Sequence, residues 1–470
     1  MGVAGSGNSR FAPDMRRLGF PDFTRRFGSL LPAAVTLTLL SGSLEAATRW
    51  PQYRGPAASG VDADFALPTS WDVAQGTQIR WKTPIPGLAH AAPVVWDDRI
   101  YLATAVKPGE SELKVGLYGD IASVDEREPQ QWRLLAVDRA SGKVAWNALA
   151  LEAVPRVKRH TKASHCNSTP ATDGRRIAAL FGSEGLFVFD TEGKLLWKKD
   201  LGPLDSGYFE VPSAQWGFAS SPVIHEGRVI VQADVQKDSF LAVYDLESGK
   251  EIWKQPRADV PTWSSPAVVE SEGRKQIAVN GWHHIGGYDF ATGRELWRLD
   301  GGGDIPVPTP IFAHGLIYLT SAHGKVRPMR AVRPGATGNV TPAEVSGTNA
   351  AIAWVHPRQG NYMQTPLVVG DLLYACLDSG ILTCFDARTG AIRYSERVVQ
   401  GGEGFTASTV SDGKHLFVTS ENGNIYVVPT GPKFSVISTN RMDETCMATP
   451  AIAGGALLYR TRGHLVSVGN

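Results

Sequence analysis

One short pattern returns along this chain of 470 residues, and it leaves few folds open. It reads Val137-Asp138-Arg139-Ala140-Ser141-Gly142-Lys143-Val144-Ala145-Trp146, and again Phe189-Asp190 through Gly193 to Trp197. Further copies run from Tyr244-Asp245 through Gly249 to Trp253, from Tyr288-Asp289 through Gly293 to Trp297, and from Phe385-Asp386 through Gly390 to Tyr394. The Asp-to-aromatic spacing is 8, 7, 8, 8 and 8. Each residue type has a local reason. An Asp side chain accepts backbone N–H groups two or three residues on, and Gly supplies a positive φ, so the pair closes a tight hairpin. The strand that follows ends in an aromatic large enough to wedge between neighbouring sheets.

A second marker precedes each copy: a small residue, Pro, apolar residues, a turn and a β-rich run. Ala92-Pro93-Val94-Val95 leads to Ile100-Tyr101-Leu102, and Ser221-Pro222-Val223-Ile224 leads to Val229-Ile230-Val231. Pro170, Pro266, Pro310, Pro366 and Pro450 open the others, and Ser408-Thr409-Val410 fills the slot without Pro. Anchors at 93, 170, 222, 266, 310, 366, 409 and 450 are spaced 77, 52, 44, 44, 56, 43 and 41 apart, a base period near 43. Short strands and hairpins at that period spell a β-propeller.

Eight anchors need eight outermost strands. Trp146, Trp197, Trp253, Trp297, Trp354, Tyr394 and the strand around Phe434 mark seven. The last anchor has only two strands after it, so the eighth must be Ile79-Arg80-Trp81-Lys82, ahead of the first anchor. The expected fold is all-β: an eight-bladed propeller of four-stranded antiparallel blades, whose N-terminal strand completes the last blade and removes the open sheet edge.

Residues 1–47 read as a signal segment. Arg16, Arg17, Arg25 and Arg26 make a basic region, Leu30 to Leu40 is apolar without charge, and Ala46 and Ala47 offer small residues for cleavage. The Arg pairs leave Sec and twin-arginine export both open. The apolar run is too short to span a bilayer comfortably, so the mature chain is expected to have no transmembrane segment and to be periplasmic or extracellular. Residues 48–78 read as an N-terminal extension and 79–470 as the propeller. A formal net charge of +1 gives no case for nucleic acid. The four cysteines, Cys166, Cys376, Cys384 and Cys446, are too few for a disulfide scaffold. Cys376 and Cys384 flank the turn Asp378-Ser379-Gly380, which leaves open whether they pair or are buried thiols. A monomer is expected.

With these motifs in hand, residues 79–470 resemble the PQQ-like (pyrroloquinoline-quinone-type) repeat family. That family includes the eight-bladed quinoprotein dehydrogenases and the propeller lipoprotein of outer-membrane β-barrel assembly. The opening Trp50-Pro51-Gln52-Tyr53-Arg54-Gly55-Pro56, with Trp81-Lys82-Thr83-Pro84, is most similar to a group of secreted bacterial PQQ-like repeat proteins. A repeat identifies a fold more strongly than an activity. Three functions follow as expectations. The first is a binding module that takes a small molecule, glycan or protein on its axial face. The second, implied by the resemblance, is an oxidoreductase holding PQQ and calcium in the central channel. Trp263 would then be a stacking floor, and Arg156, Lys158 or Arg159 would meet the cofactor carboxylates. The third is a carbohydrate-active hydrolase or lyase, with Glu184, Glu403, His165 and His283 as candidates by loop position.

In any of these, the site should lie where loops entering the innermost strands meet loops between second and third strands. Reading those loops gives Lys158, His160, His165, Asn167, Gln215, Trp216, Trp263, Trp282, His283, His323, Tyr362 and Gln364 as ligand-binding candidates. His90, Met363 and Met447 lie in equivalent places. Aromatic faces beside amides and imidazoles suit a sugar, a quinone or a peptide. His283 and His284 cannot point the same way on one strand, and no metal site is expected. Two insertions stand out: Ala105 to Trp132, containing Leu117-Tyr118-Gly119-Asp120, on the site face, and Arg333 to Ala353 on the opposite face. Export makes one prediction. N-terminal sequencing of the protein recovered from outside the cytoplasm should read from Ala47 or Thr48, and an intact Met1 on that material would contradict it.

Overall fold

A computed structural model describes residues 48–117 and 121–469, with Met1 and Gly2. Residues 3–47, on which the expected signal segment falls, and Tyr118, Gly119 and Asp120 of the first insertion lie outside the described residues. Among the described residues, eight sheets of four or five strands follow one another as blades, every pairing antiparallel except that of Gly338–Asn339 with Glu295–Leu299. Blade 1 runs Val94–Trp96, Arg99–Val106, Gln130–Asp138 and Val144–Ala153, from the axis outward. Blades 2 to 7 repeat the plan. Blade 8 takes Ala451–Ala453, Ala456–Arg460 and His464–Gly469 from the C-terminus and Ile79–Pro84 from the N-terminal side, with Trp81 opposite Ser467 and Lys82 opposite Val466. The expected closure is therefore present.

The repeated motif does one job at each blade boundary. In the turns, Asp138, Asp245, Asp289 and Asp386 each accept the N–H of the residue three further on, at 2.7–2.9 Å. The shorter turn at Asp190 accepts from Glu192 and Lys194 instead. The turn glycines 142, 193, 249, 293 and 390 have φ between 70° and 83°. Over each lies the indole from the blade before. A Cβ on Gly142 would stand 2.5 Å from Trp81, on Gly193 2.9 Å from Trp146, and on Gly249 2.9 Å from Trp197. On Gly293 it would meet Trp253 at 2.6 Å, and on Gly390 it would meet Trp354 at 2.7 Å. The same indoles donate Nε1–H into the neighbouring turn: Trp81 to Arg139, Trp146 to Thr191, Trp197 to Leu246, Trp253 to Phe290 and Trp354 to Ala387. Trp297 is the exception, because blade 5 has no such turn. Its Nε1–H goes to Gln276 of its own blade, and Gly338–Asn339 of the blade 5 insertion pairs alongside it as a fifth strand.

The small residue before each anchor has an equally local role. Its hydroxyl accepts the backbone N–H of the equivalent residue in the preceding blade. Ala92 N–H reaches Thr169, Thr169 reaches Ser221, and Ser221 reaches Ser265, each at 2.9 Å. Thr309 reaches Thr365, Thr365 reaches Ser408, and Ser408 reaches Thr449, at 2.9–3.0 Å. A nearly continuous belt of side-chain hydrogen bonds thus circles the axis and satisfies N–H groups that the innermost strands leave over.

Residues 48–78 are woven into this ring. Trp50 pairs with Val95, and Pro51 C=O accepts Thr172 N–H. The short helical turn Pro56–Ala58 reaches the inner strands of blades 4 and 5. Arg54, fully buried, donates to the carbonyls of Ala58, Thr409 and Pro366. Farther on, Leu67 N–H goes to Asp412 and Trp71 N–H to Asn440. The segment crosses the axis and plugs one end of the channel. Its chain takes left-handed φ at Arg54, Gly55, Ala57, Ala58 and Gly60, and a Cβ on Gly60 would stand 2.3 Å from the Arg54 guanidinium.

Several expectations need adjusting. The outer strand of blade 7 is Ser438–Arg441, just past Phe434, whose ring instead packs 5.6 Å from that of Tyr394. The first insertion is bounded by strands that run to Val106 and restart at Gln130, and within it Ser123–Val124 pairs with Arg159–His160. Cys376 lies opposite Leu382 and Cys384 opposite Tyr374, and all four cysteines are free buried thiols.

The docking of indole on glycine makes a paired prediction. Gly293→Ala should cost about 2–4 kcal/mol, from a strained left-handed φ plus a clash with Trp253. Gly227→Ala, at a similar φ of 69° with nothing within 4 Å, should cost only about 1–2 kcal/mol. Urea midpoints of the two variants measure the difference, and equal losses would contradict the docking.

Candidate functional site

The plug turns the channel into a pocket with one mouth. Its cavity volume is about 170 Å³. Its walls are Trp216, Trp263, Tyr362, His90, His160, Met363 and Met447, with Ser221, Ser265, Thr309, Thr406 and Thr449 between them and Tyr53 of the plug. The hydroxyl belt thus lies along the pocket. Tyr53 is pinned by a 3.0 Å hydrogen bond to Ser408. Behind it, burial lowers the Arg54 guanidinium to about 10, although four carbonyls satisfy it.

The charged groups at the pocket are already committed. Lys162 Nζ is 2.8 and 2.7 Å from the two Glu421 oxygens and also donates to Gly116 of the first insertion. Glu421 further accepts Gly116 N–H at 2.8 Å and the Thr406 hydroxyl at 2.5 Å. Burial lowers the Lys162 pKa, with Glu421 opposing it. Such a pair is costly to break, because removing one partner leaves an uncompensated buried charge. A second cluster holds the insertion: Glu126 lies 3.0 Å from both Arg159 and His165. Burial pushes the Glu126 carboxyl up, but His165 and Arg159 hold it far below its ordinary range.

His90 is the isolated imidazole of the wall. Its Nε2 lies 3.0 Å from the Lys162 carbonyl, which can only accept, so Nε2 carries the proton and Nδ1 is left as an acceptor. Burial lowers its pKa most, the bond to Lys162 opposes, and Arg159, Arg460 and Arg462 lower it further, to about 4.

Of the residues read from the sequence, His160, Asn167, Trp216, Trp263 and Tyr362 line the pocket. Trp263 donates Nε1–H to Gly217 and lies 5.6 Å from Trp216 at 32°. Asn167 spends its amide on Ser164 and Phe218. Trp282, His283 and His323 sit on the rim instead. Trp282 packs 4.9 Å from Phe209, His283 pairs with Asp300 at 3.0 Å, and His323 pairs with Asp304 at 2.7 Å. Lys158 lies 3.7 Å from Asp125 on the insertion. His165, Gln215 and Gln364 turn away from the pocket: His165 to Glu126, Gln215 to Asp205, and Gln364, buried, to the Phe405 carbonyl. Their backbones are where linker position placed them, and their side chains point into the supporting structure.

Three features went unread. Tyr53 enters the pocket from a segment far away in sequence. Lys162 stands in the sequence among Arg156, Lys158 and Arg159 with no pattern that sets it apart. Tyr208 and Phe209 belong to a loop closed by a Gly207–Gln215 bridge. Tyr208 stacks on Trp216 at 5.8 Å and touches His323, which stacks on Tyr362. Aromatic rings therefore run unbroken from blade 2 to blade 5 over the mouth. A Tyr-Phe pair three residues before a Pro on a loop with Gly at both ends was the available signal. Among the described residues no three His, Cys, Asp or Glu side chains converge as a metal site, and no helix is long and apolar enough to cross a membrane.

The PQQ_2 family model, described as outer membrane protein assembly factor BamB, matches residues 59–205 and 186–431. No curated protein matches the chain in sequence. Solved structures share its fold at low identity. BamB from Moraxella catarrhalis is 13% identical with a TM-score of 0.52, covering 78% of this chain and 98% of its own. A europium-containing methanol dehydrogenase is 11% identical with a TM-score of 0.58, covering 90% and 89%. The quinohemoprotein alcohol dehydrogenase from Comamonas testosteroni is 12% identical with a TM-score of 0.58, covering 90% and 81%.

The His90 environment predicts a pH dependence. Between its ordinary 6.5 and about 4, the unfolded chain binds a proton that the folded chain refuses, so stability falls as pH falls through that window. His90→Gln should remove that part of the decline, read as urea midpoints at pH 7 and pH 4.5. An unchanged slope would contradict a neutral, buried His90.

Proposed function

On the premise that the chain belongs to the PQQ_2 family of repeat propellers, we propose that it is an exported binding module whose axial pocket holds its ligand. Its place is the periplasm or the cell exterior, after loss of residues 1–47. One observation carries the reading: a blind pocket walled by Trp216, Trp263 and Tyr362, with hydroxyls between them and, among the described residues, no carboxylate in the wall. Such a mix of apolar faces with a few convergent polar groups is what small-ligand sites are made of. The rim supports it, because the Lys162–Glu421 and Arg159–Glu126 pairs fix the long insertion beside the mouth.

The quinoprotein reading fits these residues poorly. Ca²⁺ takes six to eight oxygen ligands, carboxylates among them, and among the described residues the wall offers no carboxylate. The cations named for cofactor carboxylates are occupied: Arg156 by Asp200, Arg159 by Glu126, Lys158 by Asp125. Trp263 has part of its face covered by Trp216. A hydrolase would need an acid and a base at the pocket. Glu184 accepts Arg156 N–H and Glu403 is bonded by Asn424 and Tyr426, both away from the wall.

The test is differential scanning fluorimetry of the mature chain against a panel of metabolites, oligosaccharides and peptides. A ligand at a hundred times its Kd stabilises the folded state by about 2.7 kcal/mol. The rise in Tm should disappear in Trp216→Ala/Trp263→Ala. A shift that survives in the double variant, or a panel without any shift, would overturn the pocket as the binding site.

A further inference from the structure

Resting on that reading, we infer that the pocket takes the uncharged terminal residue of a glycan. Three observations converge. The first is that the pocket is blind. Tyr53 and Arg54 seal its inner end, so a polymer can offer it an end and cannot thread through.

The second is charge. A peptide end carries an ammonium or a carboxylate, and each would need a counter-ion once removed from water. Among the described residues the wall has no carboxylate. Its cation, Lys162, is clasped by both oxygens of Glu421, and His90 is neutral through most of the accessible pH range. A sugar residue without acidic or amino substituents brings no charge to be matched.

The third is the kind of polar group that remains. The Thr309 hydroxyl lines the pocket, is 3% exposed and has no hydrogen-bond partner. A buried hydroxyl left unsatisfied costs free energy, and a ligand hydroxyl would remove that cost. Ser221 and Ser265 accept N–H groups of the belt and keep their own protons to donate. His90 Nδ1 is an acceptor. These are neutral donors and acceptors spaced around aromatic faces. A pyranose presents the complement: hydroxyls on its edge, and a face of C–H bonds that packs on the indoles of Trp216 and Trp263.

The experiment titrates the mature chain with cellohexaose, xylohexaose, laminarihexaose and mannohexaose. Hexagalacturonate, chitosan hexamer and an uncharged-side-chain hexapeptide serve as charged and peptide arms. Intrinsic tryptophan fluorescence and calorimetry are the readouts. At least one neutral hexasaccharide should bind and shift the indole emission. Thr309→Val should weaken that binding by about three- to tenfold, the worth of one hydrogen bond, with Tm held or raised, because the unsatisfied hydroxyl is gone and the backbone N–H to Thr365 is untouched. Trp263→Ala should abolish binding. Binding by only the charged sugars or the peptide, still lost in Trp263→Ala, would overturn the glycan inference and leave the pocket standing. Glycan binding unaffected by Thr309→Val and Trp263→Ala would overturn it too. No binding in any arm would overturn the inference and, together with a flat panel, the pocket.

Discussion

An indole lying on a glycine turn is the contact on which this molecule depends. A propeller blade cannot bury both of its faces by itself, so each sheet needs a fixed way of meeting the next. Here Trp81, Trp146, Trp197, Trp253 and Trp354 occupy the space where a side chain on the next blade's turn would be, and each donates its N–H into that turn. The turn needs Gly twice over, for its positive φ and for its missing Cβ. The aromatic supplies an area of burial on the order of 150–250 Å², and the N–H sets the angle. Blade 5 shows the rule by its exception: without the turn, Trp297 bonds within its own blade and a strand from the insertion covers that edge.

Those outer contacts set the blade angles, and the hydroxyl belt reads out the result at the axis. Ser and Thr at the inner ends accept each other's neighbouring N–H groups, so the pocket wall is made of the same residues that join the blades. The belt has one unspent member, Thr309, and it lies in the pocket. The plug completes the design. Arg54 is a cation buried without a carboxylate partner among its hydrogen bonds, held by carbonyls of blades 6 and 7 and by its own loop. That arrangement fastens residues 48–61 across the ring and leaves one way in.

The ring itself was legible in the sequence because Asp, Gly and Trp are each required by geometry within about ten residues. Blade number and closure followed from counting. The belt was visible only as a small residue before Pro, since nothing local says that its hydroxyl faces the next blade. The plug was invisible as such. Arg54 finds its acceptors at Pro366 and Thr409, more than three hundred positions away. The site residues divide along the same line. Trp216, Trp263 and Tyr362 reach the pocket because a large aromatic on an axial linker has few other places to go. His165, Gln215 and Gln364 stood on equally axial linkers, and partners on other loops, such as Glu126 and Asp205, decided which way they turned.

The central claim is that residues 48–61 are an integral seal of the axial channel. Hydrogen–deuterium exchange tests it directly. Peptides covering residues 49–61 should exchange as slowly as those covering the inner strands at Val94–Trp96 and Leu367–Val369. Exchange of 49–61 at the rate of an unstructured tail would mean an open channel, and the blind pocket would be lost with it.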